Sequence, residues 1–141
     1  MLAALDAYLA RLYPPEANHI LDVSALLDES ITFLTARRAG LLVGCGAVRR
    51  LAGEPATAGA PYGEIKRMYV GPAERGAGVA SRLLAQLEAT LREDGLTLSL
   101  LETGRDQTEA VRLYEGAGYA RRAAFGGYPD NGLSLFMGKA L

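Results

Sequence analysis

Glu64-Ile-Lys-Arg-Met-Tyr-Val-Gly-Pro-Ala-Glu-Arg-Gly-Ala-Gly-Val-Ala80 is the stretch that decides the fold. Gly63 to Val70 has the composition of a strand. Gly71-Pro72 breaks it. A glycine-rich turn follows, and from Gly78 to about Glu93 the spacing of Val79, Leu83, Leu84, Leu87 and Leu91 predicts an amphipathic helix closed by Gly95. Glycines let a backbone come close to a ligand. The free amides and the dipole at a helix N-terminus favour negative charge. The turn can therefore cradle a pyrophosphate, with Arg75 as an added cation. A Rossmann fingerprint would also place glycines here, with Glu102 near the ribose-binding acid. Ser81 stands where its third glycine would be, however, and the chain leaves no room for a substrate domain. A P-loop is excluded because no Gly-Lys-Ser/Thr follows. A plain glycine connection without a ligand is the remaining alternative.

Working outward, Leu2, Leu5, Leu9 and Leu12 predict a helix over about residues 2–12, ended by Pro14-Pro15. Asp22 or Ser24 caps a short second helix through Leu27. Ile31–Arg37 and Leu41–Leu51 form a hairpin about Arg38-Ala39-Gly40. Residues 52–62 lack periodicity and are expected to be the least ordered loop. Downstream, Leu96–Leu101 is a near-continuous apolar run, as in a strand buried on both faces. Ala110, Leu113, Tyr114 and Ala117 mark a helix stopped by Gly116 and Gly118. Two last strands fall near Tyr119–Phe125 and Leu133–Lys139. The order suggests an α/β (α+β) fold, a mixed sheet covered by helices on both faces.

The chain has 141 residues, half of them apolar, and fits one domain spanning 1–141. Fifteen bases face sixteen acids, which points away from nucleic acid as a partner. Cys45 is the only cysteine, so an internal disulfide is impossible and no metal is expected. There is no basic-flanked leader and no apolar run near the roughly 20 residues a membrane helix needs. A cytoplasmic protein is expected.

Arg75, Gly78 and Ala80 match Arg/Gln-x-x-Gly-x-Gly/Ala, and Met68-Tyr69-Val70 precedes them as an apolar-x-Val strand end. About thirty residues on, Gln107-Thr-Glu-Ala110-Val-Arg-Leu113-Tyr114-Glu-Gly-Ala-Gly118-Tyr119 matches Asn-x-x-Ala-x-x-Leu-Tyr-x-x-x-Gly-Phe, with Gln for Asn and Tyr for Phe. In order and separation the two motifs resemble the GNAT family (Gcn5-related N-acetyltransferases) over roughly residues 31–141. Glu64 to Met68, Leu101 to Gly104, Phe125 to Tyr128 and Phe136-Met137 are similar to a group of small stand-alone bacterial members. The resemblance implies a mostly antiparallel central sheet, acetyl-CoA as donor, and a primary amine on a small or amino-acid-like acceptor. It also implies pairing as a homodimer. A GNAT fold that holds acyl-CoA as a sensor or partner module without turnover is the alternative; the presence of both Glu64 and Tyr114 favours the enzyme.

Acetyl transfer needs a neutral amine, donors for the thioester oxygen and a proton for the thiolate. Glu64 is six residues before Val70, and strand alternation puts residues an even number apart on one face. The resemblance gives Glu64 the role of base and Tyr114 that of acid. The alternatives are a solvated Glu64 paired with Lys66 and a merely packed Tyr114. Met68, Tyr69, Val70, Arg75, Gly76, Ala77, Gly78, Val79, Ala80, Ser81 and Gln107 are the implied donor-binding residues. His19, Glu102 and Tyr128 are candidates for the acceptor side. Asp130-Asn131-Gly132 reads as a plain turn, Cys45 as core, and Arg49, Arg50, Arg121 and Arg122 as solvated strand edges.

Overall fold

The computed structural model describes residues 28–141 and, nearer the N-terminus, Ala3 and Ala7, both helical. Apart from those two alanines, the helices expected over 2–12 and through Leu27 lie outside the described residues, as does His19.

Strands β1 (Ile31–Arg38) and β2 (Leu41–Leu51) form an antiparallel hairpin. Its two-residue turn has Ala39 at φ 49° and Gly40 at φ 81°. This is the left-handed pair that matches the twist of the flanking strands. Strand β3 (Tyr62–Val70) pairs antiparallel to β2. Helix α1 (Val79–Glu93) leads to β4 (Leu98–Gly104), then come helix α2 (Thr108–Gly116), β5 (Ala120–Arg122) and β6 (Ser134–Ala140). The six strands among the described residues lie in the order β1-β2-β3-β4-β6-β5. Of these, only β3 and β4 run parallel to each other.

Both helices end as their glycines require. Gly95, at φ 77°, donates to Arg92 while Leu96 donates to the Leu91 carbonyl. Gly118, at φ 98°, donates to Glu115 while Tyr119 donates to the Tyr114 carbonyl. Each is a Schellman ending, in which the left-handed residue lets two late amides reach back to orphaned carbonyls. Gly116, expected as a stop, is the last residue of α2.

One row of register partners, Val48, Ile65, Leu101 and Met137, crosses four strands on a single face. Leu84, Leu87 and Leu91 of α1 and Tyr114 of α2 pack on that row. Each fully buried leucine contributes about 1.5–3 kcal/mol. Both described helices therefore cover the same face. The other face carries an aromatic cluster of Tyr62, Phe125 and Phe136 with Leu100.

Two expectations change here. Residues 52–62 are ordered, not a loose loop. Glu54 accepts the Tyr62 hydroxyl at 2.6 Å and the Gly126 amide at 2.9 Å, and Thr57 closes a capping box on a short 3-10 turn at Pro55–Thr57. The chain after α2 pairs for only three residues, because from Ala123 it leaves the ladder for the loop that lays Phe125 and Tyr128 against the aromatic face.

Candidate functional site

The site grows from the way β3 and β4 part. Their ladder has only three pairs, Gly63–Ser99, Glu64–Leu100 and Ile65–Leu101. Both strands then run on, β3 to Val70 and β4 to Gly104, without pairing to each other. A bulge turns β3 at that point: Arg67 and Met68 together oppose Gly46, and Arg67 adopts φ 58°. A bulge bends its strand and increases local twist. The edges of Lys66–Val70 and Glu102–Gly104 that face one another consequently enclose a wedge.

The bulge also inverts the alternation. Ile65 faces α1, and so do Met68 and Val70; an added Cβ on Gly44, the partner of Val70, would lie 3.2 Å from Val79 and Leu83 of that helix. Glu64 faces the aromatic side. Glu64 and Val70 are thus on opposite faces despite their even spacing, because one residue of β3 has no counterpart on β2.

Glu64 is 3 % exposed, so it is not a solvated strand end. It accepts the Tyr128 hydroxyl at 2.5 Å, and the Lys66 ammonium stands 3.5 Å from the same oxygen. The Tyr128 hydroxyl also meets the Lys66 ammonium. Burial first, then the Glu64 charge, pushes the Tyr128 phenol well above its usual range. Glu102 lies on the same face one strand over, as the partner of Phe136, and accepts the Ser134 hydroxyl at 2.7 Å. Glu54 holds Gly126, two residues before Tyr128. Its carboxyl sits below its ordinary value of 4.5, chiefly through the bonds from Tyr62 and Gly126.

Tyr114 stands across the sheet. Its ring is buried edge-on to Tyr119 at 5.8 Å, and its hydroxyl makes no hydrogen bond to another described residue. Burial and then the Glu102 charge push this phenol up, so it keeps its proton well beyond neutral pH.

The turn before α1 is open. Gly76 and Gly78 adopt φ 82° and 84°, and a Cβ added at either would meet nothing within 4 Å. Gly78 is the N-cap and supplies no side chain; the first intrahelical bond runs from the Arg82 amide to its carbonyl. The amides of Val79, Ala80 and Ser81 precede that bond and remain for a ligand. The Ala77 backbone lies exposed between the two glycines. Arg75 donates to the Val70 carbonyl at 3.0 Å and lies over the Tyr69 ring, which fixes the entry to the turn. Gln107 occupies the N-cap of α2, its amide bonded to Gly104 at the tip of β4.

The structure thus brings Glu64, Glu102 and Tyr128 onto one face, sets Tyr114 on the other, and puts the Arg75–Ser81 turn just beyond the end of β3. Sequence reasoning missed Lys66 as a member of the buried group, and Glu54 altogether, since 52–62 showed no period. Two of the arginines are not merely solvated: Arg50 bonds Ser30, Thr32 and Asp94, and Arg122 donates to the Ala56 carbonyl. Arg49, half-buried, is the register partner of Glu64. Arg121, exposed beside Glu115, is the solvated edge it was taken to be. Among the described residues no cluster of metal-ligating side chains is found, and no helix is long and apolar enough to cross a membrane.

Residues 2–119 match the model of the acetyltransferase (GNAT) family. The IAA acetyltransferase of Azospirillum brasilense is 46% identical over 141 residues, which is 100% of this chain and 88% of that protein. The crystal structure of a Klebsiella pneumoniae "putative acyl-CoA N-acyltransferase" superposes with a TM-score of 0.81 at 38% identity, covering 99% of this chain and 86% of the other. The fold is also that of the PaiA N-acetyltransferase of Thermoplasma acidophilum, solved in complex with coenzyme A. That match has a TM-score of 0.66 and 20% identity, and covers 79% of this chain and 62% of the other. With the family model matched over most of its length and a named acetyltransferase 46% identical across all of it, this chain belongs to the GNAT acetyltransferases.

Proposed function

We propose that the chain transfers an acetyl group from acetyl-CoA to the primary amine of a small, amino-acid-like acceptor. The observation that carries this reading is the wedge between β3 and β4, with buried Glu64 on one face, Tyr114 on the other and the open Gly76–Gly78 turn beyond it. The turn suits a pyrophosphate, because its exposed backbone offers amides with no side chain in the way. Acetyl-CoA supplies an acyl carbon activated by its thioester.

The chain's own groups then divide the work. An acceptor amine is protonated near neutrality, with an ordinary pKa of about 10.4, and must shed a proton to attack. Glu64 receives that proton, directly or through one water. Tyr128 and Lys66 hold the carboxylate in place from two directions. Backbone amides at the open edge of β3, Met68 to Val70, face the acetyl oxygen and stabilise charge developing on it. As the nitrogen–carbon bond forms and the carbon–sulfur bond breaks, Tyr114 gives its proton to the departing sulfur. Its raised pKa ensures that it has one to give.

The test is a panel of amines incubated with acetyl-CoA, followed by detection of free thiol. Thiol release with at least one amine, and a rise in melting temperature with acetyl-CoA but not NADH, is the expected result. Stabilisation by acetyl-CoA without turnover on any acceptor would restore the sensor reading.

A further inference from the structure

We propose that the acceptor carries a carboxylate beside its amine, and that Arg49 binds that carboxylate while Glu64 takes the amine proton. This rests on the reading of Glu64 as base. Arg49 and Glu64 are direct partners in the β2–β3 ladder, so their side chains leave the sheet on one face. Cβ atoms of such partners are about 5 Å apart, which ordinarily favours a cross-strand ion pair. Glu64 turns instead to Tyr128 and Lys66. Arg49 is half-buried, and among the described residues its guanidinium makes neither a hydrogen bond nor an ion pair. Its neighbour Arg50, pointing the other way, is held by Ser30, Thr32 and Asp94.

The exposed Asp28 carboxyl feels the Arg49 charge but forms no ion pair with it. A guanidinium drawn partly out of water without a paired anion is costly, and its planar fork suits a bidentate carboxylate. Its charge reaches into the site, where it acts to pull down the phenols of Tyr62 and Tyr128 against burial. Across the sheet the same face then presents Arg49 on β2, Glu64 on β3 and Glu102 on β4. That order complements a zwitterion, with the ammonium toward the carboxylates and the carboxylate toward Arg49. A neutral-tailed amine would leave Arg49 unmet.

The experiment compares amines that differ only in the carboxylate, each amino acid against its amide, with thiol release from acetyl-CoA as readout. In the wild type, kcat/KM for the acid should exceed that for the amide by about tenfold or more. Arg49→Gln should bring the ratio toward one, mainly through the KM of the acid, and Arg49→Lys should retain part of it. Arg50→Gln should keep the wild-type ratio. A wild-type ratio near or below one would overturn the proposal, as would an equal loss on both members of a pair in Arg49→Gln. If no amine is acetylated, the functional reading of Glu64 fails, and calorimetric titration of the CoA-loaded protein with the same pairs decides the carboxylate site. Binding of the acid that is lost in Arg49→Gln supports it; equal binding by both proteins, or binding by neither, overturns it.

Discussion

Glu64 and Tyr114 stand on opposite faces of the sheet, beside the line where β3 and β4 stop pairing. A group threaded through the wedge meets a carboxylate from one side and a phenol from the other. Removing either should therefore affect a different half of the reaction.

Glu64→Gln should lower kcat on a working acceptor by about 10²- to 10⁴-fold, the usual span for a general base. Acetyl-CoA affinity, followed by calorimetry, should change little, because Glu64 faces away from the Arg75–Ser81 turn. Full activity would move the base elsewhere, with Glu102 or a water chain next in line.

Tyr114→Phe should fold, since the lost hydroxyl bonds no other described residue. Turnover should fall by roughly 10- to 1000-fold. Burial raises the Tyr114 pKa above its ordinary 10.0, so the protonated form persists through that pH. The wild-type rate should accordingly show no loss from Tyr114 ionisation up to pH 10, read by stopped assays at fixed ionic strength.

Gly78 is tested in two steps. Alanine there must hold a left-handed φ of 84°, at a cost of about 1–2 kcal/mol readable in urea unfolding. Glutamate adds bulk and negative charge in the space the phosphates need. Gly78→Glu should abolish the acetyl-CoA-induced rise in melting temperature while the protein remains folded. An undiminished rise would show that the pyrophosphate binds elsewhere.

The Glu54 clamp should open in acid. Its folded pKa is depressed, so its stabilising effect is complete above the ordinary value of 4.5 and is lost as pH falls through the lower folded value. Hydrogen exchange of the Gly126 amide, corrected for the intrinsic pH dependence, should show protection that collapses below that window. Glu54→Ala should show the unprotected behaviour at every pH and should also loosen Tyr128.

Much of this was legible in residue order. The leucines of α1 and the glycines after both helices announced where helices run and stop, because those signals are local. Arg75 to Ala80 announced the turn for the same reason. The face of Glu64 was not legible, because alternation counts residues and the Arg67–Met68 bulge adds one that the count cannot see. Glu54 was invisible because its partners, Tyr62 and Gly126, come from two separate segments. Lys66, Arg49 and Tyr128 gain their meaning from pairing across strands, and a one-dimensional pattern records no neighbours of that kind. The span of β4 was underestimated because Glu102-Thr103-Gly104 continues no apolar run, although it pairs with β6 and buries Thr103 and Gly104.

The scant parallel pairing of β3 with β4 makes the sheet two antiparallel halves, β1-β2-β3 and β4-β6-β5, stitched by three register pairs. Each half keeps its own ladders whatever the angle between them. The angle between the halves is consequently set at the stitch and by the core side chains packed around it, Leu87, Leu101 and Tyr114 among them. Enlarging those side chains or trimming them should reset the angle between the halves and with it the Glu64–Tyr128 contact that spans them, while the positions of Glu64 relative to Arg49 and of Gly78 relative to α1 stay fixed within the β1-β2-β3 half.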